Sequence, residues 1–242
     1  MRMIIIVLFL LLFFVISLPL YLVVWLIGKK DEKLQVAVSQ KIVNGAFRII
    51  FWIGGVKIEC KGVSQVPSDE PIMYIANHRS YCDILAGYLT VPTLTGFVSK
   101  DMLEKVPFIR IWMKFLKCLF LDRENPKEGL KVILQGIEQI KKGYSVFIMP
   151  EGTRNPNDSL LPLMPFHEGS FKLATKTGCA IVPVAMKNTD KVLQKKFPWI
   201  KPCVITVVYG EPVYPNDLPE EQRRHVGRYM QEKVKEMLEN ME

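Results

Sequence analysis

From residue 3 to residue 27 almost every side chain is apolar, with Ser17 and Pro19 the interruptions. As a helix, a run of about 25 such residues can cross a hydrocarbon core of roughly 30 Å. No other stretch limits the possible folds so strongly, because it must be buried in protein or in lipid. A cleaved signal peptide would carry an apolar region of about 7–15 residues followed by small residues. This run is longer and ends in Gly28-Lys29-Lys30, which predicts a retained membrane helix. A second apolar stretch, 42–55, carries Asn44 and Arg48 and is too short to span comfortably. It reads as interfacial or as the return arm of a helical hairpin, with an ordinary core helix as the alternative. Residues 1–55 are thus expected to form a membrane-anchoring segment, with helices at about 3–27 and 35–55, ahead of an α/β domain at 56–242. Lys29, Lys30 and Lys33 outweigh Arg2 across the first helix, so the positive-inside bias predicts that the remainder is cytoplasmic. A re-entrant hairpin would reach the same side.

The chain is long enough for one α/β domain with its own core. Its net charge of +8 needs an acidic partner. No zinc-finger spacing, helix-turn-helix pattern or aromatic RNA-binding motif is present, so nucleic acid is not expected. Anionic membrane lipids suit a tethered basic protein better. Cys60, Cys82, Cys118, Cys179 and Cys203 are odd in number, widely spaced and free of any C-x-x-C. That argues against a disulfide framework or zinc site and for a reducing compartment.

Beyond Gly55, β-forming apolar runs at 56–60, 71–76, 96–99, 118–121, 145–149, 180–186 and 204–209 alternate with helical patterns. The helices are expected at 83–89, at 127–142 with Leu130, Ile133, Leu134, Ile137 and Ile140 on one stripe, and at 170–177 ending on Gly178. The last, at 219–241, places Val226, Met230, Val234 and Leu238 on one stripe. This alternation predicts an α/β fold, a sheet flanked by helices.

Polar groups cluster at the ends of the apolar strands, where sites gather in open α/β sheets. Asn77-His78 follows one strand, and Asp83 comes five residues after His78. A neutral imidazole accepts a proton near pH 7, and a carboxylate on its other nitrogen fixes the tautomer. If a helix starts just after His78, Asp83 lies within reach of the ring. In isolation such a pair is equally a capped loop with a surface contact. Glu151-Gly152-Thr153-Arg154 follows another strand. Gly152 admits close backbone approach, Arg154 offers a planar fork to phosphate, and Glu151 could accept a hydroxyl or hold Arg154. Asp122-Arg123 and Val182-Pro183-Val184 complete the set.

In order and spacing, NHRSYCD (77–83), LFLDRE (119–124), MPEGTRN (149–155) and IVPV (181–184) resemble the 1-acyl-sn-glycerol-3-phosphate acyltransferase family in its bacterial short form. SKDML, with Lys100, also looks like the family. The resemblance covers roughly residues 55–213, and the apolar N-terminus resembles the family's membrane helices. It implies the glycerolipid acyltransferase fold, a mixed β-sheet flanked by helices. It also implies acyl transfer from a thioester, acyl-ACP or acyl-CoA, to lysophosphatidic acid at a bacterial cell membrane, with no cofactor or metal. His78 would be the general base and Asp83 its orienter. Arg123, Glu151, Gly152, Thr153 and Arg154 would bind the acceptor, Lys100 would be a further phosphate ligand, and Pro183 would shape the pocket wall. Asn77, or backbone N–H groups at the following helix start, would be candidate oxyanion donors. One departure is 165–174, PFHEGSFKLA, with His167-Glu168 where the family often carries lysine before the glycine. Either Lys172 replaces that cation or the headgroup contact differs. His167 reads as a surface-loop residue, and His225, among Arg223, Arg224 and Arg228, as part of a solvated face.

Two segments interleave basic and aromatic residues, 104–120 and 195–202, and could lie on lipid headgroups or form partly buried core. Other readings are an acceptor other than lysophosphatidic acid, a Cys82–His78 thiol hydrolase and a non-catalytic membrane scaffold.

Overall fold

The computed structural model describes residues 1–122, 126–193 and 198–241. The apolar run forms α1 (Arg2–Lys30) and the next stretch α2 (Glu32–Gly54). Asp31 alone separates them, in an extended conformation, with its carboxylate accepting the Leu34 N–H at 2.9 Å to start α2. The helices return antiparallel, so Arg2 approaches Gly55 at the far end. Their close approach requires Gly28: a Cβ there would stand 2.2 Å from the Gln35 amide, which itself donates to Val24 O.

The rest is a seven-stranded mixed sheet whose strands all coincide with the seven apolar runs. In chain order come β1 (Val56–Lys61), β2 (Met73–Ala76), α3 (Cys82–Thr90), β3 (Thr95–Lys100), α4 (Pro107–Phe115) and β4 (Leu119–Leu121). Then follow α5 (Pro126–Lys141), β5 (Ser145–Ile148), α6 (Lys172–Thr177), β6 (Ile181–Lys187), α7 (Thr189–Val192), β7 (Cys203–Tyr209), α8 (Glu220–Arg224) and α9 (Val226–Glu239). The spatial order is β1-β7-β6-β2-β5-β3-β4, and only the β6–β7 pair is antiparallel. The carboxyl ends of β2, β3, β5 and β6 therefore share one edge of the sheet with the amino ends of β1 and β7.

Both faces are covered, which explains why the strands are apolar runs without polar alternation. Tyr74, Phe147 and Val182 face Val43, Phe51, Tyr88 and Trp112. Met73, Ile75, Val146, Ile181 and Ala185 face Val132, Ile140, Leu173, Met230, Val234 and Leu238. The stripe of the last helix is buried as expected, but that helix is broken: α8 and α9 meet at His225, whose backbone leaves the helical region. The stripe of α5 is rotated from the expected one. Val132, Gly136 and Ile140 point inward, whereas Leu130 and Leu134 are exposed. Gly136 sits against Leu173 of α6, and that approach sets the rotation. The 170–177 helix begins with a 3-10 turn, Glu168–Phe171, before α6, and ends on Gly178.

The hairpin is not appended to this domain; it shares its core. Tyr21, Val24, Val43 and Phe51 join the cluster on the sheet face. Tyr21 Oη donates to Phe108 O at 2.8 Å, and Trp112 Nε1 donates to Ser17 Oγ at 3.0 Å. In α4, therefore, Trp112 turns inward onto Phe13 and Tyr21. Lys114 pairs with Glu104, and Lys117 with Glu32. The aromatic residues of 104–120 thus divide, Trp112 lying in the core and Phe108 being exposed. Of 195–202, residues 195–197 lie outside the described residues, and Trp199 is exposed.

Gln40 of α2 clamps the opposite edge of the sheet. Its amide donates to Thr93 O at 3.0 Å and accepts the Thr95 N–H at 3.1 Å. Thr95 is fully buried, so Gln40→Leu strands that N–H. The expected loss is about 1–3 kcal/mol, read as a lower denaturant midpoint for the protein in detergent micelles.

Candidate active site

β2 ends at Ala76 and α3 begins at Cys82, leaving a short loop at the carboxyl edge of the sheet. The loop carries backbone N–H groups that no ladder or helix satisfies, and two carboxylates take those of His78, Arg79 and Ser80. Asp83, in the first turn of α3 and fully buried, accepts through one oxygen, Oδ2, from three donors. They are Arg79 N at 2.7 Å, Ser80 N at 2.8 Å and His78 Nδ1 at 2.7 Å. Ser80 Oγ then accepts the Cys82 N–H at 3.2 Å. A carboxylate beside His78 Nδ1 fixes the proton there, leaving Nε2 as the acceptor of a substrate proton. The expected base–orienter pair is therefore assembled, by a helix that starts where it was expected to start.

Glu151 comes from the turn after β5 and is also buried, with 1% of its surface exposed. Oε1 accepts the His78 N–H at 2.7 Å and Oε2 accepts the Met164 N–H at 2.9 Å. Both oxygens are spent on backbone, so Glu151 sets the position of His78 and does not meet the acceptor. Burial raises its carboxyl above the usual range, outweighing the two N–H donors, which act the other way.

Asn77 is corrected in the same sense. Its amide donates to Met186 O at 2.9 Å and accepts the Met186 N–H at 2.8 Å, sewing the loop to β6. It is fully buried and is not an oxyanion donor facing the site. The backbone N–H groups of His78, Arg79, Ser80 and Cys82 are likewise engaged.

Gly152 has φ +73°, and a Cβ there would stand 3.0 Å from the ring of His167. His167 is exposed, as expected of a surface loop, but its ring covers this turn. Its partner Glu168 faces away, accepting Gly227 N at 2.9 Å and Arg228 N at 3.1 Å to cap α9. Thr153 is exposed on the turn. Arg154 stands over the Tyr81 ring, 4.3 Å from its centroid, beside the dyad. Lys100 is exposed at the end of β3. That is two strand spacings from β2, roughly 10 Å. Arg123 lies outside the described residues. Pro183 is level with Ile75 and faces the other side of the sheet, lining a depression of about 490 Å³ with Gly210, Val213 and Met237. It does not wall the dyad. Its missing N–H falls where β7 turns away at Gly210–Pro212, the position in a central strand that tolerates proline.

Two contributors were not legible in the sequence. Arg79, 4% exposed, donates to Ser159 O at 2.6 Å, Asp158 O at 3.3 Å and Asp190 Oδ2 at 3.4 Å. Asn155 donates its backbone N–H to His78 O at 2.8 Å and its amide to Pro162 O at 2.9 Å. Together they fasten the irregular 155–165 segment around the site. The one available signal was the length of that segment, which needed an anchor. Cys82 is buried, and burial pushes its thiol up to about 12. With Nδ1 of His78 also taken by Asp83, the Cys82–His78 hydrolase reading fails.

An imidazole held by a buried carboxylate at the carboxyl edge of a mixed sheet has the geometry of a general base that activates a hydroxyl. The chain belongs to the acyltransferase family: a family model described as Acyltransferase matches residues 57–187, more than half of its length. It is 35% identical over 138 residues to the chloroplastic 1-acyl-sn-glycerol-3-phosphate acyltransferase LPAT1 of Arabidopsis thaliana, covering 57% of this chain and 38% of that protein. It is 28% identical over 154 residues to the 1-acyl-sn-glycerol-3-phosphate acyltransferase of Borreliella burgdorferi, covering 64% and 60%. The chain thus spans well under two thirds of the length of these curated relatives. The crystal structure of the 1-acyl-sn-glycerophosphate acyltransferase PlsC from Thermotoga maritima superposes with a TM-score of 0.76 at 23% identity, covering 100% of this chain and 99% of that one. The glycerolipid acyltransferase fold is therefore present.

Asp83→Asn removes the anion that holds the Nδ1 proton. Turnover is expected to fall on the order of a thousandfold or more, measured by initial rates of acyl transfer. Glu151→Gln tests the raised carboxyl. The folded state holds that proton above the ordinary range of a glutamate carboxyl, so the stability lent by Glu151 is complete below that range and is lost as pH rises through the elevated one. The stability of wild type relative to Glu151→Gln should therefore fall as pH rises above the ordinary glutamate range, read from urea midpoints.

Proposed function

We propose that this protein transfers a fatty acyl group from a thioester to the sn-2 hydroxyl of 1-acylglycerol 3-phosphate, giving phosphatidic acid. The observation that carries the reading is the 2.7 Å contact between His78 Nδ1 and Asp83 Oδ2, set beside Arg154. The names of the relatives supply the substrate class. His78 Nε2 takes the proton of the sn-2 hydroxyl as its oxygen attacks the thioester carbonyl. The tetrahedral intermediate collapses with loss of the thiolate, and the imidazolium returns the proton to that sulfur. The thiolate leaves readily, so a positioned acceptor and one base suffice, without an acyl-enzyme. Arg154 and Lys100 bind the acceptor's phosphate, and the donor is acyl-ACP or acyl-CoA.

The reading extends to the membrane, on the cytoplasmic face of a bacterial cell membrane. α1 and α2 are long and apolar enough to cross one, by length and composition. Leu8, Leu11, Leu12, Val15, Leu18 and Leu22 are exposed along α1. The opposite flank of α1 packs on α4, which carries Arg110 and Lys114. A full span would carry those charges into hydrocarbon, at a cost of about 2.5–3.5 kcal/mol each or more. The hairpin therefore lies in one leaflet with its apolar flank in lipid. Trp52, 81% exposed and close to the start of β1, brings that leaflet to the catalytic edge of the sheet.

Mixed micelles of 1-acylglycerol 3-phosphate with acyl-CoA or acyl-ACP test the chemistry. Wild type should form phosphatidic acid and His78→Ala should not; retention of most of the rate by the variant would overturn the mechanism. For the membrane, Leu11→Asp combined with Leu18→Asp should move the protein from the vesicle pellet to the supernatant in sedimentation assays.

A further inference from the structure

Tyr81 is a large ring with no evident folding benefit. It enters α3 in a helical conformation, while Ser80 beside it accepts the Cys82 N–H at 3.2 Å and so does the capping. It does little for the core either, being 60% exposed. One ring face lies against the Arg154 guanidinium, whose carbon is 4.3 Å from the ring centroid.

The mounting of the two groups gives that contact its meaning. Tyr81 stands three residues after His78 and two before Asp83. The loop is held by Asp83 Oδ2 on Arg79 N and Ser80 N, and by Ser80 Oγ on Cys82 N. Arg154 rises from the turn that begins with Glu151, which is bonded to His78 N at 2.7 Å. Base, ring and guanidinium therefore form one rigid unit. A free arginine side chain carries about 2 kcal/mol of rotamer entropy, and stacking on a fixed ring restricts it before substrate arrives.

We infer that Tyr81 is a positioning residue for the acceptor's phosphate. It holds the Arg154 fork at a fixed offset from His78 Nε2, so that the site selects a phosphomonoester on the carbon next to the reacting hydroxyl. The inference rests on the acyl transfer proposed above. Tyr81 touches neither reacting atom, so its removal acts on acceptor binding and leaves the chemical step alone.

The test uses the full chain in mixed micelles, with 1-acylglycerol 3-phosphate and acyl-CoA varied separately. Tyr81→Leu should raise KM for the acceptor roughly two- to fivefold, the effect of an exposed cation–π contact, with kcat and KM for the thioester unchanged. Tyr81→Phe, which keeps the ring, should retain the wild-type KM. In an Arg154→Ala background, Tyr81→Leu should add nothing, because the two act through one contact. If Tyr81→Leu fails to fold by circular dichroism, Tyr81→Gln replaces it in both backgrounds. An unchanged acceptor KM in the ringless variant, or an equal increase with and without Arg154, overturns the inference while leaving the function standing. A wild type that does not acylate 1-acylglycerol 3-phosphate removes the function and this inference together.

Discussion

One oxygen atom organises the site. Asp83 Oδ2 accepts two backbone N–H groups and the His78 ring in a place closed to water. An uncompensated buried carboxylate costs several kcal/mol, so the loop is drawn into the one shape that supplies three donors. That shape orients the base. The helix start adds its own field, since the first turn of a helix favours negative charge. Catalytic geometry here follows from satisfying a buried anion, and no separate device is needed to aim the imidazole.

A second buried carboxylate works from the opposite side. Glu151 links the β2–α3 loop to the 155–165 segment through His78 N and Met164 N. Asn77 and Arg79 extend the same scheme to β6 and α7. Three polar side chains in sequence positions that look like substrate ligands or plain surface are thus internal fasteners. On the acyl-transfer reading proposed above, the groups left to meet substrate are fewer: His78, Arg154 and Lys100, with Thr153 exposed on the turn. The topology makes this economy possible. Because β2, β3, β5 and β6 run parallel, their carboxyl ends deliver all of these residues to one edge, although they are far apart in the chain.

What could be read in the sequence follows from range. Strand runs depend on local composition, and all seven coincide with strands. The His78–Asp83 pair depends on five consecutive steps of chain, and the geometry holds. Asn77 and Glu151 could not be assigned from sequence, because whether an amide or a carboxylate faces substrate or backbone depends on partners 109 and 73 residues away. Pro183 was misjudged for a related reason: its face of the sheet is set by register against β2, and the motif does not carry register. The buried stripe of α5 differs from the expected one because Gly136, which no apolar pattern marks, sits against Leu173 of α6. The break at His225 had no signal in a pattern whose apolar stripe runs uninterrupted through α9.

The division between anchor and enzyme also looks different in three dimensions. By composition it falls at residue 55; by packing there is none, since Tyr21, Val24, Val43 and Phe51 belong to the sheet's own core. A flexible tether would leave the catalytic edge free to rotate over the bilayer. A hairpin fused to the sheet removes that freedom, so whatever depth lipid imposes on α1 is imposed on His78 as well. On the reading proposed above, with a lysolipid acceptor that stays in the bilayer, a fixed height of the base replaces part of the binding that a soluble enzyme obtains from contacts with its substrate. On that same reading the shared core serves catalysis as well as folding, and a sparse set of substrate contacts is what such an arrangement requires.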